Sequence, residues 1–345
     1  SEVAEIGIYM FRDCRSLLNI SVDEANEKYS SEDGVLFNKE KTSLICYPKG
    51  KTGQYRVPDG VTNLYDNAFS TAYNLTGIEI PETVTDIADS SFYDCTSLLN
   101  ISVDEANEKY SSVDGVLFNK EKTELLWCPD GKSGQYRIPD GVTDIRNNAF
   151  DSCNKLTGIE ISGGVIGLPY YIFYNGCNSL LNISVDESNI SYSSVDGVLF
   201  DKEKTELICC PKGKTGYYQI PDGVTDIDIN AFYESSLTSV GIPDTVIKID
   251  DDAVKECEDL MILCEQGSAA HLYAVRRGIP FRFWKKYTIT LDTNGGDALD
   301  QTSLVIREGN TLGELQTPTR TGYIFKGWFT EKTGGTAVTK DTVPT

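Results

Sequence analysis

A long phrase returns three times along this chain and limits its fold more than any other feature. "SLLNISVDEANEKYSS" begins at Ser16, returns unchanged at Ser97, and returns as "SLLNISVDESNISYSS" at Ser179. The copies are 81 and 82 residues apart. Self-similarity at a fixed period is typical of repeat architectures, in which each repeat packs on its neighbours. The phrase is therefore predicted to be part of the architecture rather than three copies of a reaction site.

A shorter period lies inside the long one. Val57, Ile80 and Val103 are 23 residues apart, and Ile138 follows after 35. Each short unit alternates apolar residues up to a stop such as Pro81, which predicts a short strand. Because one such strand cannot bury its apolar side alone, each unit is predicted to form one coil of a mainly β solenoid.

The solenoid is predicted to have about ten strands between Asn19 and Leu263. The final stretch, "SAAHLYAVRRG", has helical spacing and ends on Gly278, a natural stop for a helix.

The 35-residue units contain an insert that reads "YSSVDGVLFNKEKTELLWCP" from Tyr110, with counterparts from Tyr29 and Tyr192. Two β-rich stretches flank the polar "KEKT", which predicts a β-hairpin that projects from every third coil. The hairpin tips carry Lys39, Lys120 and Lys202. These lysines either engage an acidic or repeated partner multivalently or keep the hairpin edges from pairing between molecules.

Between the apolar residues of each strand, side chains point outward and form a polar ladder. If neighbouring coils stack in register, Arg56 lies beside Glu79, and Arg137 lies beside Glu160 as a cross-strand ion pair. The third copy departs most from the others at Tyr217 and Gln219. This face is either a solvated sheet surface or a binding surface. Its candidate ligand-binding residues are Arg56, Glu79, Arg137, Glu160, Tyr217 and Gln219.

No catalytic constellation emerges. His271 is the single histidine, so Ser-His-Asp or Cys-His chemistry would depend on it alone. "DDD" at Asp250 to Asp252 lacks the alternating ligands and glycine of a calcium loop. With 52 acidic residues, close carboxylate pairs arise by coincidence. We therefore expect no catalytic residues, no metal and no cofactor.

The ten cysteines recur with the repeat and include no C-x-x-C pair. Most are predicted to be free, buried thiols that act as small apolar residues. The net charge is −21, which argues against nucleic acid as a partner because phosphate recognition needs clustered basic residues. No run of 18 apolar residues is present, so membrane insertion of this chain is not expected.

One repeat pattern, "L-x-x-I-x-I-P-x-x-V-x-x-I", followed by an aromatic and a cysteine, resembles the BspA-like leucine-rich repeats of bacterial surface proteins. It is carried by Leu75, Ile78, Ile80, Pro81, Val84, Ile87, Phe92 and Cys95 and by their counterparts. The "dGVLFnkekTeLl-cPkGk" insert is also typical of that group. The resemblance implies a leucine-rich-repeat solenoid with its cap over residues 1–284.

Residues 285–345 have a different pattern, with "YTITLD" as a predicted strand and "NGG" as a turn. They resemble the Listeria–Bacteroides repeat, the B-type repeat of internalins. The carrying residues are Asn294, Gly295, Gly296, Pro318, Arg320, Gly322, Tyr323, Phe325, Gly327, Trp328, Gly334 and Gly335. The resemblance implies a small β-grasp-like module, for which the closing aromatic strand is expected to be missing.

Both families imply a non-enzymatic bacterial protein, secreted or exposed at the cell surface, that adheres to a host or microbial protein or glycan. A structural spacer that displays other domains is the alternative, and a hydrolase that uses surface carboxylates is a third hypothesis. Both ends of the chain are expected to be cut from a longer protein. No oligomeric state is predicted.

Overall fold

The computed structural model describes residues 3–7 and 9–345. This part of the chain is mainly β and forms the predicted solenoid, with about 11 turns. It divides into two compact units, Ser1–Leu260 and Met261–Thr345. The proposed boundary between residues 284 and 285 stays a prediction. Within the predicted solenoid, residues 1, 2 and 8 lie outside the described residues.

The strands of the first unit follow the three long repeats. Those of the first block are β1 (Tyr29–Glu32), β2 (Val35–Asn38), β3 (Ser43–Cys46), β4 (Gly53–Arg56), β5 (Asn63–Leu64), β6 (Leu75–Ile80) and β7 (Asp86–Ile87). Those of the second are β8 (Asn100–Val103), β9 (Tyr110–Val113), β10 (Val116–Asn119), β11 (Glu124–Trp127), β12 (Gly134–Arg137), β13 (Asp144–Ile145) and β14 (Leu156–Ile161). Those of the third are β15 (Asn182–Val185), β16 (Tyr192–Val195), β17 (Val198–Asp201), β18 (Glu206–Cys209), β19 (Gly216–Gln219), β20 (Asp226–Ile227), β21 (Leu237–Gly241) and β22 (Lys248–Ile249).

Each coil carries strands on two faces. On the long-strand face, parallel sheets form in the orders β4-β6-β8 and β12-β14-β15, and β19 pairs with β21. On the short-strand face, two-residue strands such as β5 and β7 pair in parallel beside β3. The sheets of that face have the orders β1-β2-β3-β5-β7, β13-β11-β10-β9 and β16-β17-β18-β20-β22.

The inserted hairpins are confirmed, but they do not project from the coil. In the second block, β10 pairs with β11 on one side and with β9 on the other. Val116 and Phe118 are fully buried. The segment from Tyr110, which the sequence analysis left without a strand, is therefore the third strand of the insert. The polar turn between β10 and β11 was correctly predicted.

A second turn, between β9 and β10, explains why the insert reads "DG" in every copy. Asp114 has φ 49° and Gly115 has φ 80°, the combination of a type I′ turn. A Cβ on Gly115 would lie 2.9 Å from Asn100 Oδ1. The insert therefore needs glycine both for its backbone conformation and for its close approach to the neighbouring coil.

The long-strand face is not one continuous sheet. The Ile101 amide donates to the Gly115 carbonyl at 2.9 Å, so the hairpin turn occupies the position beside β8. The long-strand face is consequently interrupted at every third coil. In the first copy of the phrase, residues 17–22 also form no strand, and no described strand pairs with them as β6 pairs with β8.

The solenoid interior is filled by aromatic rings that stack from coil to coil. The ring centroids of Phe69 and Phe92 are 5.7 Å apart, and those of Phe92 and Trp127 are 6.2 Å apart. In the next block Phe150 and Phe173 repeat the 5.7 Å contact. The aromatic residue that follows a small residue in each repeat therefore supplies a core that continues from coil to coil.

The cysteine of each repeat bonds to the coil before it. The Cys95 thiol lies 3.1 Å from the Phe69 carbonyl oxygen, and the Cys257 thiol lies 2.7 Å from that of Phe232. All ten cysteines are free. A small side chain with a weak donor is therefore repeated because it both packs and caps a buried carbonyl.

The asparagine of "DEAN" holds the insert against the preceding coil. Asn107 is fully buried, and its Nδ2 donates to the carbonyls of Pro81 and Val84, each at 2.9 Å. Its Oδ1 accepts from the Lys109 and Tyr110 amides at 2.9 and 2.8 Å. Asn189 makes the same four contacts in the third block. The copied phrase therefore contains a structural bridge between coils.

The second unit contains β23 (Met261–Cys264), α1 (Ala269–Arg277), β24 (Phe281–Phe283), β25 (Lys286–Thr290), β26 (Ser303–Arg307), β27 (Trp328–Phe329) and β28 (Ala337–Val338). The predicted helix is confirmed, with Ser268 as its N-cap and Gly278, at φ 69°, as its C-cap. The predicted small β module consists of two antiparallel pairs, β25 with β26 and β27 with β28.

Replacing Asn107 with alanine is expected to lower the free energy of unfolding by about 3 kcal/mol, because two buried carbonyls and two amides lose their partners. Urea unfolding followed by far-UV circular dichroism measures this loss. Glu108→Ala, at the exposed neighbouring position, is the control and should change stability little. Equal, small losses in both variants would contradict the bridging role of Asn107.

Candidate interaction surfaces

The long-strand face carries the ion pair predicted from the strand register in one copy but not in the other. Arg137 and Glu160 are register partners, and their Nε and Oε1 atoms are 2.8 Å apart. Arg56 and Glu79 are also register partners, but Arg56 instead contacts Asp59 Oδ1 with Nη2 at 3.0 Å. The expected pair between Arg56 and Glu79 is therefore not formed. These side chains partly neutralise one another along the face.

Tyr217 and Gln219 lie on the same face of the third block. The Tyr217 hydroxyl donates to Gln219 Oε1, and Gln219 Nε2 donates to the Ile220 carbonyl at 2.8 Å. Tyr217 keeps 46% of its surface exposed. The structure thus brings the two residues together and leaves the Tyr217 ring accessible. Their role in ligand binding stays a prediction.

The lysines at the hairpin tips fold back onto the acidic loop of the repeated phrase. Lys39 Nζ donates to the Glu24 carbonyl at 2.9 Å, and Lys120 Nζ donates to the Glu105 carbonyl at 2.9 Å. Lys202 Nζ donates to the Glu187 carbonyl at 3.2 Å. Three equivalent contacts indicate that these lysines hold the loop in place.

A cluster of exposed aromatic and aliphatic side chains, which we call the tyrosine patch, was not found by sequence reasoning. Its members are Ile166, Tyr170, Tyr171 and Ile190, which are 54%, 80%, 52% and 74% exposed. The equivalent residues one block earlier are Thr85, Asp89, Ser90 and Glu108. Relative to these four polar residues, the tyrosine patch has apolar or aromatic side chains.

Coil stacking brings the two isoleucines of the tyrosine patch into the same neighbourhood. Asn189 Nδ2 donates to the Val165 carbonyl at 2.8 Å, and Ile190 and Ile166 directly follow these two residues. The Leu168 amide donates to the Tyr192 hydroxyl at 3.1 Å. Burial raises the pKa of Tyr192, and the nearby Tyr170 hydroxyl raises it further. The patch is therefore one surface rather than four separate positions.

Further aromatic rings extend the tyrosine patch. Tyr171 makes an edge contact with Tyr174 at a centroid distance of 5.5 Å, and Tyr174 stacks on Tyr233 at 4.0 Å. The Lys212 ammonium lies 4.7 Å from the Tyr233 ring centroid. Comparison of residues 162–178 with residues 81–96 could have identified this surface, because "GVIGLPYYIFYNG" differs from "TVTDIADSSFYD" at most polar positions.

A row of buried charged positions runs along the coils that carry inserts. The repeat places Lys49, Asp130 and Lys212 at equivalent positions, and they are 3%, 1% and 6% exposed. In each case the following glycine donates its amide to a leucine carbonyl of the repeated phrase, at 2.8, 2.8 and 2.9 Å. The backbone is therefore the same while the buried charge differs.

The three buried charges have different partners. Lys212 Nζ lies 2.8 Å from Glu234 Oε2 and donates to the Tyr174 carbonyl at 2.6 Å. Neither carboxylate oxygen of Asp130 meets the geometry of a hydrogen bond among the described residues, although the Cys95 amide and the Trp127 indole lie near. Burial raises the pKa of Asp130 well above its usual range. The charge at this position is thus stabilised by partners at Lys212, whereas at Asp130 its burial is unfavourable.

The described residues contain no group of three or more His, Cys, Asp or Glu side chains that could hold a metal ion. His271 Nδ1 accepts from the Gly267 amide at 3.2 Å, and its ring packs between Phe281 and Phe283. Burial raises the pKa of the Cys95, Cys153 and Cys177 thiols, which disfavours the nucleophilic thiolate. The contacts of His271 and of these three thiols are therefore those of packed residues.

Stacked parallel coils with a leucine- and isoleucine-lined interior define a leucine-rich-repeat solenoid. The BspA type leucine rich repeat region matches residues 49–121 and 132–261, in six copies. The chain belongs to this family, whose members are bacterial surface proteins. The Listeria-Bacteroides repeat domain matches residues 287–345. Both resemblances drawn from the sequence are confirmed.

Three solved structures are similar to this chain. A leucine rich cell surface protein from Faecalibacterium prausnitzii A2-165 is 26% identical, with a TM-score of 0.44 over 66% of this chain and 63% of its own. A leucine-rich repeat protein from Eubacterium ventriosum is 20% identical, with a TM-score of 0.43 over 71% and 72%. The pneumococcal vaccine antigen PcpA is 18% identical, with a TM-score of 0.42 over 68% and 68%.

The chain spans 63% of the length of the Faecalibacterium protein. No curated protein matches it. In the described residues, no helix has the length and apolar character required to cross a membrane.

Alkylation with iodoacetamide at pH 8 is expected to modify Cys14 well before the other nine thiols, because Cys14 is exposed and the others are buried or half-buried. Mass spectrometry of tryptic peptides at successive times measures the order. A sample unfolded in urea, in which all ten should react at similar rates, is the control. Rapid native labelling of Cys95 or Cys153 would contradict the packing described for them.

Replacing Asp130 with asparagine is expected to raise stability at pH 7.5 and to have less effect near pH 4. The folded-state pKa of Asp130 is raised, so the folded state binds more protons than the unfolded state between the unfolded and folded pKa values. The wild type therefore loses stability as the pH rises through that window, and the amide variant escapes this loss. Urea midpoints at both pH values measure the difference.

Glu82→Gln makes the same acid-to-amide exchange at an exposed position and is the control for the Asp130 experiment. It should change the urea midpoint little at either pH. A stability difference for Asp130→Asn that is the same at pH 7.5 and pH 4 would argue against an unpartnered buried carboxylate.

Proposed function

We propose that this chain is a non-enzymatic binding protein, secreted or exposed at the bacterial cell surface, that holds a macromolecular partner on the surface of its solenoid. Membership in a family of bacterial surface proteins supports the location. Leucine-rich-repeat proteins generally bind proteins or glycans, which supports the kind of activity. The tyrosine patch is the observation that carries the proposal.

Within the part of the chain that the structure describes, the residues of the tyrosine patch make no contact comparable to the ion pair found at the equivalent position one block earlier. One block before the patch, Asp89 Oδ1 lies 2.9 Å from Arg146 Nη1 and so links the two coils on either side of the coil that carries the insert. One block later, Tyr170 and Asp228 occupy the two equivalent positions, and Tyr170 is 80% exposed. A large apolar surface that replaces an ion pair costs solubility without adding to the core. Its retention is best explained by a partner that covers it.

A protein partner fits the patch better than a glycan. Tyrosine is enriched in the buried centres of protein interfaces, where its ring supplies area and its hydroxyl finds a polar partner. The two exposed isoleucines add aliphatic surface, which a sugar ring does not need. A glycan is the second candidate because Tyr170 and the Tyr174–Tyr233 stack offer flat aromatic faces.

The long-strand face at Tyr217 and Gln219 is the second candidate surface of the same protein. Tyr217 stands where the other two blocks have Gln54 and Gln135, and its ring is 46% exposed. Arg56, Glu79, Arg137 and Glu160 surround the equivalent positions of those blocks with charges that partly neutralise one another. Tyr217 therefore departs from the equivalent residues of the earlier blocks, as the tyrosine patch departs from those one block before it.

Two variants, each assembled from residues that the earlier blocks already use, test the proposal. The patch variant carries Ile166→Thr, Tyr170→Asp, Tyr171→Ser and Ile190→Glu, which are the equivalent residues one block earlier. It is expected to lose at least about tenfold in affinity for a partner captured on a protein and glycan array, because the exposed rings are removed. Biolayer interferometry with the array hit measures the change.

The strand-face variant, Tyr217→Gln with Gln219→Arg, is the matched control. Retained binding by this variant together with loss by the patch variant supports the tyrosine patch. The opposite result moves the site to the long-strand face. Equal binding by the wild type and both variants, or no array hit at all for the wild type, overturns the proposed function.

A further inference from the structure

A cavity of about 520 Å³ lies in the first block, away from both candidate surfaces, and one buried lysine lines it. Pockets of about 300–1,000 Å³ are typical of small-molecule sites. The lining includes Lys49, Ser70 and Thr71 on one side and the aromatic rings of Phe11, Tyr29 and Tyr65. Four basic and three acidic side chains line the cavity, in a chain whose net charge is −21. The cavity is thus less acidic than the molecule as a whole.

Lys49 is buried without a counter-ion. It is 3% exposed, and Nζ donates only long bonds to the carbonyls of Asn67 and Ala68, at 3.2 and 3.4 Å. Within the described residues, no carboxylate lies within 4.0 Å of its Nζ atom. Burial lowers the pKa of Lys49. A buried cation requires an anion or several hydrogen bonds, and this one has two weak ones.

The third block contains the anion that the first block lacks. Glu234 follows Lys212 by 22 residues and holds its Nζ at 2.8 Å. The residue 22 positions after Lys49 is Thr71, and both Thr71 and Glu234 donate their amides to the equivalent carbonyl of the next coil, Tyr93 and Lys255. The repeat therefore provides an internal comparison in which one copy has a carboxylate and the other has a hydroxyl.

Thr71 is also buried with an unsatisfied polar group, as expected of a residue that contacts a ligand. It is 3% exposed, and its Oγ1 has no hydrogen-bond partner among the described residues. Its φ of 62° is shared by the equivalent Ser152 and Glu234, at 59° and 50°, and therefore belongs to the repeat. An unpartnered buried hydroxyl beside an unpaired buried ammonium marks an anion-binding corner of the cavity.

We propose that this cavity binds a small organic carboxylate, with its anionic group on the Lys49 ammonium and the Thr71 hydroxyl and its apolar body against Phe11, Tyr29 and Tyr65. The ligand takes the place that the Glu234 side chain fills in the third block. Charge-assisted hydrogen bonds from an ammonium to a carboxylate are about twice as strong as neutral ones, so recognition depends mainly on this corner. The site does not depend on the macromolecular binding proposed above.

Binding of phenylacetate, measured by saturation-transfer NMR and isothermal titration calorimetry, tests the proposal. Phenylacetamide has the same ring and a neutral head group, and it is the matched control ligand. The wild-type protein is expected to bind the acid at least about tenfold more tightly than the amide, because only the acid pairs with the buried ammonium. Lys49→Met is expected to abolish that preference.

Substitutions taken from the other blocks keep the test independent of folding defects. Thr71→Glu copies the third block, supplies an internal counter-ion and is expected to lose phenylacetate binding by at least about tenfold. Thr71→Ser copies the second block, keeps the hydroxyl and is expected to retain binding. Lys212→Met removes the equivalent lysine elsewhere and should also retain it. Equal affinities for the acid and the amide, no binding of either, or full binding by Thr71→Glu would overturn the proposal.

Discussion

The contact between one coil and the next is the interaction on which this molecule depends. No coil can bury its apolar stripe alone, so every strand, ring and buried polar group is placed for a neighbour 23 or 35 residues away. Phe92 packs its ring between those of Phe69 and Trp127, the Cys95 thiol bonds to the Phe69 carbonyl, and Asn107 reaches two carbonyls of the preceding coil. Backbone hydrogen bonds set the distance between coils, and these side chains determine how each coil packs on the next.

Much of the fold could be predicted because the apolar residues obey a period. Alternation up to Pro81 correctly predicted β6, and helical spacing that ends on Gly278 correctly predicted α1. The insert was harder to predict. The polar "KEKT" correctly indicated one turn, but the Asp114-Gly115 turn that makes β9 a strand was not recognised. A "DG" pair between β-rich stretches is a strong hairpin signal, so the information was present in the sequence.

The candidate sites were harder to predict than the fold because side-chain partners depend on local competition. Strand register placed both Arg56 and Arg137 beside a glutamate. Arg137 pairs with its glutamate, but Arg56 pairs with Asp59, which is only three residues away in sequence. The tyrosine patch required comparison between blocks rather than within one. The buried row at Lys49, Asp130 and Lys212 required the burial of each side chain, which a polar residue in a turn-like "PKG" or "PDG" does not reveal. Function in a repeat protein is therefore best sought where equivalent positions carry different charges or sizes.

The three blocks share one recurring geometry, which has a consequence for the gene. The amides of Gly50, Gly131 and Gly213 donate to the carbonyls of Leu17, Leu98 and Leu180, so the same hydrogen bond recurs inside each block. Unequal crossing-over between two such positions would add or remove three coils at once without creating a foreign junction. Such an exchange would change the length of the array by whole blocks, and at the leucine positions it would separate Ile190 from Ile166, Tyr170 and Tyr171, because the tyrosine patch spans the junction between two blocks.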